Sequence, residues 1–172
     1  GTADDKNFDF YRLAYKHGRV PWGTEFFTSA TPVADGDLGT FDASELKQDV
    51  YTLQLMAKDT AANESATTIT VLVDKHTPAS RIDVDLPRYT NDPDFVVSWN
   101  GNDGPLYDYT TGIASYDVQY RVGPTGEWRD WLSDTPDDSA PFPYGENGYT
   151  YYFRCRARDG AGNLESYPDD TD

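Results

Sequence analysis

YTLQLMAKDTAAN (51–63) and YYFRCRARDGAGN (151–163) carry one pattern at a spacing of one hundred residues. Each runs Tyr, any, apolar, polar, apolar, any, Ala, basic, Asp, any, Ala, small, Asn. In the second copy, strict alternation puts Tyr151, Phe153, Cys155 and Ala157 on one face and Tyr152, Arg154, Arg156 and Arg158 on the other. Period-two alternation is the signature of a half-buried strand. An apolar inner face with a guanidinium-lined outer face is one wall of a sheet packed on a core. In the first copy Tyr51, Leu53, Leu55 and Ala57 take the matching inner positions, and DTAAN and DGAGN read as the turns that end the two strands.

The repeat extends outward from these strands. FYRLAYKHG (10–18) parallels SYDVQYRVG (115–123): Tyr11 answers Tyr116, Leu13 answers Val118 and Tyr15 answers Tyr120. Aromatic segments follow in both halves, VPWGTEFF (20–27) and GEWRDWL (126–132). A period near one hundred residues describes a domain-sized repeat rather than a solenoid unit. The expectation is two modules, residues 1–75 and 76–172, joined through VLVDKHTPASRI (71–82), where Pro78 forces an extended link.

Composition agrees with an all-β chain. Among 172 residues are 13 Tyr, 8 Phe and 4 Trp beside 14 Gly and 11 Pro, strand formers punctuated by turn formers. The best helical candidate, SELKQD (44–49), is too short to stand without packing. The net charge is −16, and residues 79–172 hold 18 acids against seven bases, all of them Arg. Such a chain repels nucleic acid and anionic membrane surfaces. No apolar run approaches the ~20 residues of a membrane helix. Cys155 is the single cysteine, so no internal disulfide forms, and nothing near it in sequence would activate the thiol.

The second half resembles a fibronectin type III module. RIDVDLP (81–87) matches strand A, DFVVSWNGND (94–103) strand B with its inward Trp99, and IASYDVQYRV (113–122) strand C. EWRDWLSD (127–134) matches C′, SAPFPYG (139–145) E, and TYYFRCRARDGAGN (150–163) F. The resemblance implies a corner-tyrosine role for Tyr151. The first half resembles an immunoglobulin-like module more loosely, from about residue 8 to 74. The W-x-G-x-D, G-I-x-x-Y-D-V-Q and A-x-D-x-A-G-N stretches are similar to modules of large secreted or surface-attached bacterial and archaeal proteins. The fold expected is therefore all-β, two tandem antiparallel β-sandwiches. Aligning the halves leaves the first without its N-terminal strands A and B and the second without its last strand G. The chain is accordingly expected to be an excerpt of a longer polypeptide. The rest of that polypeptide, or a neighbouring subunit, would complete each module.

Fold motifs of this kind say little about function, so candidate sites rest on the residues. In the resembled fold the B–C and F–G loops of the second module and the linker meet at one pole, which would bring acidic and amide side chains together. Asp74, Asp103, Asp108, Asp159 and Asn163 are the candidate metal ligands there, with Asn102 and Glu165 nearby. Oxygen donors from several loops suit calcium, which takes six to eight. The competing reading is that Asp and Asn merely cap their own turns. Asp4, Asp5, Asp59 and Asn63 form a weaker counterpart in the first module. Trp128 and Trp131, with Tyr107 and Tyr109, are candidates for stacking on glycans. A spacing of three, however, sends the two Trp side chains to opposite faces of a regular strand. Neither His17 nor His76 lies in a metalloprotease spacing, phosphate-binding Gly-rich loops are absent, and Asp137–Asp138 and Asp169–Asp170 are adjacent pairs suited to solvated turns.

The expectation is thus a non-catalytic extracellular or cell-surface spacer, adhesion or assembly element, with calcium between modules as its cofactor. One alternative is an accessory carbohydrate- or protein-binding unit of a secreted hydrolase. Another is a filament subunit completed by a neighbour's strand.

Overall fold

The computed structural model describes residues 1–172 apart from 19–22, 84–88, 93, 106–108 and 170–172. The described residues form ten strands and no helix, in three antiparallel sheets. Asp108 and Tyr107, and most of the expected strand A, lie outside the described residues. The chain divides into two compact units, Gly1–Asp74 and Lys75–Asp172.

The second unit is a sandwich. One sheet holds β5 (Ala79–Ile82), β6 (Val96–Asn102) and β9 (Ser139–Pro141) in the order β5-β6-β9. The other holds β7 (Ile113–Val122), β8 (Arg129–Thr135) and β10 (Tyr151–Asp159) in the order β10-β7-β8. Between them Val97, Trp99, Tyr116, Val118, Phe142, Cys155 and Ala157 make one buried cluster. Alternation along β10 gives the expected facing: Cys155 and Ala157 are buried, while Arg156 pairs with Asp117 at 2.8 Å on the outer face. Trp99 packs edge-on to Trp131 and Tyr116, and its indole nitrogen donates to the Asp137 carbonyl at 2.9 Å. The WNGND stretch has a steric reason as well. A β-carbon on Gly101 would stand 3.1 Å from the Tyr116 ring and 3.2 Å from the Ala79 carbonyl.

The first unit is a single four-stranded sheet. It holds β1 (Phe8–His17), β2 (Thr24–Ser29), β3 (Asp49–Asp59) and β4 (Glu64–Val73) in the order β2-β1-β3-β4. The register places Tyr11, Leu13 and Tyr15 beside Ala57, Leu55 and Leu53, so the expected inner row is continuous across the two central strands. Among the described residues of this unit, one isolated antiparallel bridge, Ala3 with Val33, and a packed loop stand in place of a second sheet. That loop puts Phe41 5.3 Å from both Tyr15 and Phe26. Tyr11 and Tyr51 are buried, but Leu13, Leu53 and Leu55 are only half-buried, unlike Val118 and Cys155 at corresponding places in the second unit. SELKQD makes a turn, with the Leu46 amide donating to the Ala43 carbonyl.

Candidate functional site

The repeated sequence builds the same turn twice, atom for atom. At the end of β3, Asp59 Oδ1 accepts from the amides of Ala61 (2.9 Å) and Asn63 (2.8 Å), and Oδ2 from Asn63 Nδ2 (2.7 Å). At the end of β10, Asp159 Oδ1 accepts from Ala161 (3.0 Å) and Asn163 (2.7 Å), and Oδ2 from Asn163 Nδ2 (2.7 Å). Hydrogen bonds from Asn63, first through its side chain, hold the Asp59 carboxyl below the usual carboxylate range. The tyrosine near the start of each strand is tied to an upstream carbonyl, by different spans: Tyr51 Oη donates to the Lys47 carbonyl at 3.1 Å and Tyr151 Oη to the Tyr144 carbonyl at 2.8 Å.

The two aspartates differ in burial: Asp159 is 2 % exposed, whereas Asp59 is half-buried. Asp103, at the end of β6, is also buried, and its Oδ2 accepts from the Gly112 amide at 2.7 Å. Carboxylate oxygens of Asp103 and Asp159 come within 4.8 Å of each other. Two loops of the sandwich, after β6 and after β10, therefore bring two acids together at one pole. Asn163 donates its amide nitrogen to Asp159. The donor atoms of Asp103 and Asp159 are oxygen throughout, the set that suits a hard divalent cation. Asp74, the last residue of the first unit, directly follows β4. The turn bonds explain much of why Asp159 and Asn163 are where they are, with or without an ion.

Glu165 has a different task from that expected. Its carboxylate accepts from the Ser80 amide (2.9 Å), the Ser80 hydroxyl (2.6 Å) and the Ala157 amide (3.0 Å). It thereby satisfies backbone donors of both β5 and β10. Its own amide donates to the Ala157 carbonyl, and Leu164 bridges Arg158, so residues 164–165 cover part of the outer edge of β10. Ser80 Oγ in turn lies 3.3 Å from Cys155 Sγ. Burial pushes the Cys155 thiol up to about 11, which removes it as a nucleophile near neutral pH. Sequence reading missed the Ser80–Glu165 contact because its members stand 85 residues apart with no motif joining them.

The tryptophans separate, although Trp128 precedes β8 and only Trp131 lies within it. Trp131 lies edge-on to Trp99 and Phe142 within the core packing. Trp128 sits outside, with the guanidinium carbons of Arg121 and Arg154 at 4.6 and 4.3 Å from its ring centroid. Arg121 also lies over Tyr152, and Arg154 and Arg156 both lie over Tyr167. The result is a ladder of alternating cations and rings along the outer face of β10, and the Trp128 ring is already engaged within it. Tyr109 is 60 % exposed.

No protein-family model matches this chain, and a search of curated proteins returns no match.

Proposed function

We propose that this chain is a non-catalytic pair of β modules, the first an incomplete immunoglobulin-like sandwich and the second of the fibronectin type III kind, from a secreted or cell-surface protein, where it acts as a spacer or assembly element. The observation that carries the reading is the duplicated Asp–Asn turn and tyrosine tie, one set in each unit. Chain that is used twice to end and brace the same strand is chain whose side chains serve the fold. Modules in series resist extension through their strand ladders and hold other domains at a distance.

Calcium belongs to this proposal as a stiffening element at the acidic pole of the second module. Asp103 and Asp159 would supply carboxylate oxygens and Asn163 its amide oxygen. Support comes from the burial of Asp103 and Asp159, from the approach of their carboxylate oxygens within 4.8 Å, and from their oxygen-only chemistry. A cation that binds only the folded state stabilises it by mass action. Calcium at millimolar concentration is therefore expected to raise the melting temperature of the second unit by about 4 °C or more, the shift that ~1 kcal/mol gives a domain of this size. Asp103→Asn should abolish that rise while leaving the chelator-treated melting temperature little changed. Equal melting curves in calcium and chelator would remove the metal from the reading, and the spacer role would then rest on the strand architecture alone.

A further inference from the structure

A shallow cavity of about 220 Å³ opens on the second unit beside the segment 142–149, away from the acidic pole. Its walls are Tyr120, Tyr144, Tyr149 and Tyr151, flanked by Arg129 and Glu146. Three of these tyrosines, Tyr120, Tyr144 and Tyr151, are held in place before any ligand arrives. Tyr120 and Tyr144 stack at 5.5 Å with 17° between their planes. Tyr151 Oη donates to the Tyr144 carbonyl and accepts from the Glu146 amide at 3.0 Å, so one hydroxyl pins the middle of the segment. Even so, Tyr144 and Tyr149 remain 52 % and 59 % exposed. Tyr144 also packs edge-on to the buried Phe142 at 5.5 Å, so the exposed ring that core packing does not explain is that of Tyr149.

We infer that this hollow is a binding site for one ring of a neutral, pyranose-based glycan. Three features select that ligand. Tyrosine offers an apolar face for the C–H surface of a sugar ring and a hydroxyl for its oxygens. Arg129 donates and Glu146 accepts, which suits ring hydroxyls that do both, and the two charges cancel, so the site favours no charged ligand. The cavity is below the ~300–1,000 Å³ of drug-sized pockets, which fits a single ring rather than the two proline-binding slots of a polyproline helix. This site is distinct from Trp128, whose ring is engaged by two arginines, and it stands whether or not the acidic pole holds calcium.

The test is a titration of the isotope-labelled full chain with cello-, xylo-, manno- and chito-oligosaccharides, followed by amide chemical shifts. At least one series should saturate, with shifts confined to Tyr120, Arg129 and residues 143–151. Tyr149→Ala and Arg129→Gln, both at exposed positions, should each weaken that binding about tenfold, the effect of truncating an interface anchor. Tyr89→Ala, an exposed tyrosine elsewhere, should leave it unchanged. Spectra that keep their dispersion in each variant show that the fold survives. The inference is overturned if no series saturates at millimolar concentration, if the shifts centre on Trp128, or if a proline-rich peptide saturates the same amides while the sugars do not.

Discussion

Ala62 adopts φ 69° in the first turn, and its counterpart Gly162 adopts φ 94° in the second. The Asp–Asn hydrogen bonds of the two turns are the same, although the Ala161 amide also donates to Thr111 Oγ1, so the pair compares backbone conformation directly. A residue with a β-carbon loses ~1–2 kcal/mol in the left-handed region, while glycine gives back part of this through its freer unfolded chain. Ala62→Gly should therefore stabilise the first unit by about 0.5–1 kcal/mol, read from a denaturant midpoint at unchanged slope. Gly162→Ala should destabilise the second by a similar amount, because no atom lies within 4 Å of the added methyl and the cost is conformational. Identical midpoints would mean that the turn relaxes to another conformation. Cys155 offers a second measurement at this scale. Its thiol is raised from 9.0 to about 11 by burial. Over that interval the unfolded chain releases the proton and the folded chain keeps it. The stability associated with the neutral thiol is thus whole below pH 9 and falls away as pH climbs toward 11, by about 2–3 kcal/mol. Tyr116 and Tyr167, also raised by burial, act in the same direction, so the informative quantity is the difference between wild type and Cys155→Ala. That difference should shrink between pH 8 and 11, and a constant difference would refute the assignment.

The strands were the most legible elements, because alternation of apolar and polar residues reports burial directly. YYFRCRARD projects Cys155 and Ala157 inward and its arginines outward, as its spelling implies. Elements whose partners are remote in sequence were less legible. Strand β9 is only Ser139–Pro141, shorter than the apolar stretch SAPFPYG suggests, because Phe142 turns into the core and the following residues hang on the Tyr151 hydroxyl. The Glu165 clamp and the tyrosine hollow have no local signature for the same reason. At the acidic pole, Asp159 and Asn163 were marked by the repeat, but their mutual hydrogen bonds were not. The cation–ring ladder draws on β7, β10, the segment before β8 and Tyr167, and no single stretch announces it. Each exposed cation–ring contact contributes ~0.5–1 kcal/mol, and Trp128 makes two. Trp128→Ala should therefore lower stability of the second unit by about 1–2 kcal/mol. Combined with Arg154→Ala, the loss should be less than additive, since one change removes the other's partner. Strict additivity in a double-mutant cycle would show that the ladder is geometry without energy.

At the scale of the molecule, one strand pattern has been folded under two degrees of cover. In the second unit, β7 and β10 lie against β5, β6 and β9, and Val97, Trp99, Val118, Phe142 and Cys155 are at most 1 % exposed. In the first, β1 and β3 carry a similar inner row, yet Leu13, Leu53 and Leu55 stay half-buried beneath a loop and a two-residue bridge. Hydrophobic stabilisation scales with apolar area removed from water. Backbone ladders alone do not make up the difference, because each bond contributes only ~0.5–1.5 kcal/mol net. The first unit should then open at lower free energy than the second, although its central pairing runs to nine registered residue pairs. Native-state hydrogen exchange measures this residue by residue. Amides of β1 and β3 are expected to exchange through openings costing less than those of β7 and β10, with matched positions such as Leu55 and Cys155 giving the clearest comparison. Loss of protection in the first unit should leave the second unit's pattern intact. If all four strands instead exchange at one common free energy, the two units unfold as a single body, and the difference in cover carries no thermodynamic weight.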